Sequence, residues 1–279
     1  MIIVDVSQIF YANLMVNFKK TKGMDIDILR GMFFKSLQTL RKHFRDHNRI
    51  VLAFDHPESW RKEIFPPYKG NRKKSNVIDW DRAHQILDQI REEVHAVFPY
   101  KVLYIPKCEA DDIIAALVMQ YHLDAPIVIV SGDQDFLQLQ SYPVTQFNPI
   151  RKEIVKIEDP IEFLLEHILK GDDGDGVPNV FSDDDTLINP AKRSARMTPK
   201  RMEELKEMVR KPRHEWDPKL IRNFDRNQTL IDLSNVPAVY QNVIWKQFES
   251  QPVADGSKIF TYFMNNGLSK LSLEVSNFV

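Results

Sequence analysis

Four short apolar runs, three of them stopping at or just before an acid, constrain this chain more than any other feature. "MIIVDVS" (1–7), "RIVLAFD" (49–55), "KVLYIP" (101–106) and "PIVIVSGD" (126–133) read as buried strands. Between them, 28–47 and 79–98 carry apolar residues at helical spacing; in the second these are Trp80, Ala83, Ile86, Leu87, Ile90, Val94 and Val97. "EADDIIAALVMQYHL" (109–123) is a helix with few polar positions beyond its first turn, so it belongs near the centre. Strands alternating with helices give an α/β fold, a mainly parallel central sheet with helices on both faces.

In such sheets the working site lies beyond the carboxyl ends of the strands. That rule sorts the acids. Asp5 and Asp55 end the first two strands, Glu109, Asp111 and Asp112 follow the third, and Asp133 and Asp135 follow the fourth. Any one of them could be a helix cap or turn residue. The set is harder to explain that way, because caps need not be charged and this many carboxylates at one edge oppose folding unless counter-ions are present. Hard divalent cations with oxygen ligands are the natural remedy.

Composition narrows the classes. With 279 residues, 43% hydrophobic and 28% charged, the chain has material for a substantial core and is not globally disordered. The single cysteine, Cys108, forms no intrachain disulfide, offers no zinc constellation and fits a reducing compartment. The eight histidines show no metal-like spacing and read as surface or core residues. Met1 runs directly into a strand, without the basic and long apolar segments of a secretory signal or a membrane span.

A net charge of −1 hides strong local contrasts. Residues 172–185 hold six acids and no base, whereas 191–213 hold nine Lys/Arg against three Glu. The stretch "WRKEIFPPYKGNRKK" (60–74) holds six Lys/Arg against one Glu, interleaved with Trp60, Phe65 and Tyr68. Basic segments flanking an acidic, cation-filled edge suit a polyanion, and the aromatics offer stacking surfaces for bases.

These pieces resemble the 5′-nuclease (flap endonuclease) family, and within it the ribonuclease H type of T-even phages. The matching residues are "VDVSQI" (4–9), "AFD" (53–55), "WRKEIFPPYKGNR" (60–72), "EADDIIA" (109–115), "SGDQDF" (131–136), "ILKGDDGDGV" (168–177), "NQTLIDLSNVP" (227–237) and "KIFTYFMNNGLSKL" (258–271), nearly the whole length. The resemblance implies a two-metal phosphodiesterase that cleaves RNA or DNA from 5′ ends at nicked, flapped or primer-bearing duplexes, as in primer removal during phage DNA replication. Mg²⁺ would serve, with Mn²⁺ able to substitute. Carried over by position, Asp5, Asp55, Glu109 and Asp111 would hold one ion. Asp133, Asp135 and Asp175 would hold the second, sharing Asp111, with Asp112 and Asp172 nearby or acting through water. Lys69 and Arg72 match basic arch residues that contact the scissile phosphate, and Tyr68 would stack on or position the terminal nucleotide. Arg61, Lys62, Lys73 and Lys74 complete the basic set of that stretch.

The resemblance also implies a PIN-like nuclease core over 1–157, with a basic helical arch at about 57–79, then a mainly helical duplex-binding region over 158–279 that completes the metal site. The arch carries three prolines and few aliphatic residues, so it is expected to order mainly on nucleic acid. The family commonly continues its GDxxDN motif into a glycine-rich hairpin. Here Gly176 replaces the Asn and no such hairpin follows, which assigns duplex contact to Lys192, Arg193, Arg196, Lys200 and Arg201 and removes the expectation of a potassium site. A monomer in the host-cell cytoplasm, working beside a sliding clamp and a single-strand DNA-binding protein, is the family expectation. The alternatives are a PIN-type ribonuclease, which needs only the first half, and a structure-specific DNA-binding protein with a vestigial site.

Overall fold

The structure, a computed structural model, describes residues 1–72 and 77–279. Its sheet has six strands in the order β3-β2-β1-β4-β5-β6. The strands are β1 (Ile2–Asp5), β2 (Ile50–Phe54), β3 (Lys101–Tyr104), β4 (Ile127–Val130), β5 (Val144–Asn148) and β6 (Glu153–Val155). All pairings are parallel except β5 with β6. The expected four strands and the mainly parallel sheet are present. The β5–β6 pair, which the apolar pattern does not reveal, extends the sheet beyond β4.

Alternation along each strand feeds two cores. Ile2, Val4, Leu52, Phe54, Val128 and Val130 face one side. There they meet helices α1 (Val6–Thr21), α2 (Ile26–His43) and α4 (Trp80–Val97). Ile3, Val51, Ala53, Leu103, Ile127 and Ile129 face the other, under α5 (Ala110–Tyr121). Both strand faces are therefore apolar, as a doubly covered parallel sheet requires. The spacing predicts a helix over 28–47; α2 begins two residues earlier, where Asp25 accepts the backbone N–H groups of Asp27 and Ile28. Helix α1 goes unread in the sequence because its apolar residues do not form one clean stripe.

The second half is helical: α6 (Pro160–Lys170), α7 (Pro199–Val209), α8 (Pro218–Ile231), α9 (Ala238–Ser250), α10 (Ile259–Asn265) and α11 (Ser269–Ser272). It shares its packing with the first half. Ile244 and Phe248 of α9 enter the core under α5, and Ile259, Phe263, Leu271 and Phe278 enter the opposite one. Gln251 closes the β3 edge: its amide accepts the Val102 N–H at 2.8 Å and donates to the Val102 carbonyl at 2.7 Å.

A third core joins the halves, with Phe65 and Tyr68 packed among Ile168, Val177, Leu205, Leu220 and Phe224. Phe65 and Tyr68 thus give 60–72 burial that the expectation of an arch ordered mainly on nucleic acid did not include. One turn of helix, α3 (Arg61–Ile64), and the turns up to Arg72 are anchored by Trp60, Phe65 and Tyr68, the same aromatics that suggested base stacking. Lys73 and Lys74 lie outside the described residues. The turn at 67–71 rests on the loop 172–176: the Lys69 N–H donates to the Asp175 carbonyl at 2.7 Å, and Gly176 has φ +72. A Cβ at Gly176 would lie 3.1 Å from the Pro67 carbonyl and 3.2 Å from the Lys69 nitrogen. The glycine that departs from the family pattern is what lets the two loops meet.

Gly267 supplies a control, since it also has positive φ but a Cβ there meets nothing within 4 Å. Thermal melts should show Gly267→Ala losing about 1–2 kcal/mol from the backbone alone. Gly176→Ala should lose clearly more. Equal losses would mean that the loop contact contributes nothing.

Candidate active site

The chain runs β1, β2, β3 outward on one side and then returns to place β4 on the other side of β1, so the topological switch lies between β1 and β4. Asp5 stands at that point. Its carboxylate caps α1 through the Gln8 N–H at 3.2 Å and accepts the Ser131 hydroxyl, from the end of β4, at 2.9 Å. Asp55, just past β2, accepts the Ala110 N–H at 2.7 Å and the Ser7 hydroxyl. Asp111 sits in the first turn of α5 and, among the described residues, accepts no hydrogen bond and joins no ion pair. Burial, then the charges of Asp133 and Asp5, raise its carboxyl well above the ordinary range. Burial, with Asp55 alongside, pushes Asp5 up to about 7.

Glu109 and Asp112 have different neighbours. Arg61 is 2% exposed and Asp112 0%. The Arg61 guanidinium lies 2.8 Å from Asp112 and 3.2 Å from Glu109, and its Nε donates to the Leu230 carbonyl at 2.9 Å. Asp112 also accepts the Trp60 indole N–H at 3.1 Å and the Glu109 N–H at 2.9 Å. It is a buried, paired cap at the start of α5.

Tyr68 Oη lies 2.8 Å from Glu109 and 2.6 Å from Asp175, one proton between two acceptors. Lys69 Nζ pairs with Glu109 and lies 3.6 Å from Asp175, where Arg72 also pairs. Burial works against the Glu109 charge, but Lys69 and Arg61 outweigh it and hold the carboxyl below its usual range.

The third group follows β4. Asp133 caps a 3₁₀ turn (Gln134–Ser141) through the Asp135 N–H at 3.1 Å. Burial and Asp133 push Asp135 up to about 7. His167, near the end of α6, lies 3.7 Å from Asp135 and 3.3 Å from Asp172. Asp111, Asp135, Asp172 and Asp175, with Arg61 and Tyr68, line a cavity of about 10 Å³. That is roughly the room one water-sized particle needs.

These observations test whether divalent cations fit. Among the described residues Asp111 is a half-buried carboxylate with no hydrogen-bond or ion-pair partner, three acids are driven toward protonation by burial and neighbouring carboxylates, and the donors around a particle-sized cavity are oxygen. Such a set suits hard cations, which would supply the missing positive charge.

Two family models cover the chain: the 5′-3′ exonuclease N-terminal resolvase-like domain at residues 1–164, and the T4 RNase H C-terminal domain at 160–278. The chain belongs to the 5′-3′ exonuclease family. It is 30% identical to the ribonuclease H of Enterobacteria phage T4, over 99% of this chain and 95% of that protein. It is also 30% identical to a 5′-3′ exonuclease of Buchnera aphidicola subsp. Acyrthosiphon pisum, over 64% of this chain and 65% of that protein. Its fold matches the T5 D15 protein co-crystallised with metal ions, with TM-score 0.66 and 21% identity over 89% of this chain and 96% of that one. Family and site agree: this is a metal-dependent 5′ nuclease with a PIN-like core.

For a nuclease of this family the basic residues divide into free and committed ones. Arg61 and Tyr68 are inside, each 2% exposed, so neither presents itself to a nucleic acid in this structure; both hold acids in place. Lys62 is exposed and Arg72 is 56% exposed at its side chain. Lys192, assigned to duplex contact, is paired with Asp183 and Asp185 at 3.3 and 2.7 Å. Asp183, Asp184 and Asp185 are thus all paired within the chain, since Lys219 also pairs with Asp183 and Arg222 and Arg226 with Asp184. Arg201 stacks on Phe181 at 3.8 Å, and Lys200 approaches only Glu204. Arg193 and Arg196 are exposed, with no ion pair among the described residues. His167 is the residue that spacing does not reveal. Its only signal is its place, five positions before Asp172. Among the described residues no helix is long and apolar enough to cross a membrane.

A substitution separates the interior from the surface. Arg61→Ala strands the buried Asp112 and should cost about 3–5 kcal/mol in chemical denaturation. Lys62→Ala should cost less than about 0.5 kcal/mol. A mild Arg61→Ala would place Asp112 in a wetter setting than its burial indicates.

The raised carboxyls fix the sign of a pH effect. A carboxyl raised from 3.8 to about 7 binds its proton more tightly in the folded than in the unfolded chain, so ionising it opposes folding. Stability is therefore greatest below the unfolded value and falls as pH rises through this window. His167, also raised despite its burial because Asp172 and Asp135 face it, acts in the same direction. In chelator the melting temperature should be several degrees higher at pH 5 than at pH 8, and divalent metal should close the gap. A metal-free protein that melts higher at pH 8 would show that the acids are neutralised from within.

Proposed function

We propose that this chain cleaves RNA or DNA phosphodiesters near the 5′ ends of nicked, flapped or primer-bearing duplexes, with two Mg²⁺ ions that Mn²⁺ can replace. The observation that carries the reading is the convergence of Asp5, Asp55, Asp111, Asp133 and Asp135 on the switch point, with Lys69 and Arg72 beside them. The ions would be held by these acids with Glu109 and Asp175, and with Asp112 and Asp172 nearby or acting through water. Bound there, they supply Lewis acidity and a water of lowered pKa.

The remaining tasks fall to side chains. Lys69 and Arg72 are placed to neutralise charge developing on the phosphate oxygens. Tyr68 and Arg61 keep Glu109, Asp112 and Asp175 oriented, so they are positioning residues. Lys62, Arg193, Arg196 and Lys200 are the exposed cations available to the phosphate backbone, where affinity for nucleic acid chiefly originates. In this reading 1–157 carries most of the acids and 158–279 completes the site and grips duplex. The kinship with phage ribonuclease H supports primer removal during phage DNA replication, by a monomer in the host cytoplasm beside a sliding clamp and a single-strand DNA-binding protein.

The test is cleavage of a 5′-labelled flap duplex. Chelator should abolish cutting. Asp111→Asn should lower it by about 10²–10³-fold or more while flap binding, which rests on phosphate contacts, stays within about threefold. Lys69→Ala should slow single-turnover cleavage more than it weakens binding. Full activity in excess chelator would overturn the reading.

A further inference from the structure

His167 is not accounted for by an all-oxygen site. Its Nε2 lies 3.3 Å from Asp172 Oδ2 and its Nδ1 3.7 Å from Asp135 Oδ1. Nδ1 is buried and has no hydrogen-bond partner among the described residues. One ligand atom from each of Asp135, His167 and Asp172 falls within 4.8 Å of the others, a separation one cation can bridge. The same three residues, with Asp133, line an open cavity of about 630 Å³ that leads to them from solvent.

A histidine between two acids could serve merely as an internal counter-ion. Asp172 and Asp135 do favour a proton there, but a buried Nδ1–H is fully satisfied only by an acceptor within hydrogen-bond reach. Asp172 can accept from Nε2, but Asp135 is beyond hydrogen-bond reach of Nδ1. The arrangement instead matches a carboxylate that fixes one ring nitrogen and leaves the lone pair of the other directed at a cation. Position on the fold alone does not produce it: His56, next to Asp55, turns its Nδ1 to the Glu58 N–H at 3.1 Å.

We infer that His167 Nδ1 is a ligand of the divalent cation held by Asp133 and Asp135, with Asp172 orienting the ring through Nε2. The two halves of the site then differ in kind. The half around Asp5, Asp55 and Asp111 offers oxygen only and suits Mg²⁺, whereas the half at His167 is a mixed nitrogen–oxygen site that favours Mn²⁺, Co²⁺ or Zn²⁺. The inference rests on the metal-dependent reading above and gives one of its two ions a distinct identity.

Pulsed electron paramagnetic resonance of the full chain loaded with Mn²⁺ tests it without any turnover. The wild type should show ¹⁴N coupling from a directly bound imidazole. The coupling should vanish in His167→Gln, checked for an intact melting transition, and persist in His56→Gln. Calorimetric titration should show Mn²⁺ affinity at one site falling about tenfold or more in His167→Gln, with Mg²⁺ affinity changed much less. If two ions bind and flaps are cut but the wild type shows no nitrogen coupling, the histidine ligand is overturned and the nuclease reading stands. Coupling that survives His167→Gln overturns it equally. Absence of any divalent binding would remove both. Should His167→Gln fail to fold, the wild-type and His56→Gln spectra together still decide.

Discussion

Mutual repulsion among buried carboxylates governs this molecule. The parallel sheet delivers acids to one edge, where helix starts and strand ends exclude much of the water that would screen them. The chain's own cations meet part of this charge. Arg61 neutralises Asp112 and part of Glu109, and Lys69 and Arg72 neutralise Glu109 and Asp175. At Asp5, Asp111 and Asp135 burial and neighbouring carboxylates outweigh what the chain supplies, and their carboxyls rise accordingly. The acids thus form two populations. One is satisfied by the chain itself, and the other is satisfied by protons or by an external cation.

That division explains how the halves of the chain are joined. The cations that neutralise the first population all come from 61–72, and this segment is held by Phe65 and Tyr68 in the core formed with α6, α7 and α8. Gly176 admits the turn, and Tyr68 bridges Glu109 from the first half to Asp175 from the second. A contact that looks like packing therefore sets electrostatics as well. Separating the two loops would remove positive charge from the acidic edge along with apolar contact.

The sheet and the acids at its switch point were legible in the sequence because continuous apolar runs and strand-end carboxylates are local patterns. Residues whose role depends on distant partners were not. Arg61 and Tyr68 look like surface groups in a basic, proline-containing stretch, yet their partners, Glu109, Asp175 and Leu230, lie about 40 to 170 residues away. Lys192 looked available because counting charges by segment separates it from Asp183 and Asp185, which a turn of the chain brings beside it. His167 shows no metal-like spacing because only one of its two acids, Asp172, is near it in sequence, while Asp135 comes from the turn after β4.

Lys69 connects these themes. Its ammonium lies on Glu109 and near Asp175, so it occupies electrostatically a place where further positive charge would be favoured. A cation arriving beside those acids competes with it, because both are stabilised by the same carboxylates. The displaced ammonium, still tethered by the Lys69 N–H on Asp175, would lose two acids and need another anion close by. A phosphate at the site is such an anion. Cation and nucleic acid would then favour each other without any rearrangement of the fold, since each relieves the charge imbalance that the other creates. The short lever of one lysine side chain is enough, provided that the loop carrying it stays docked on Gly176.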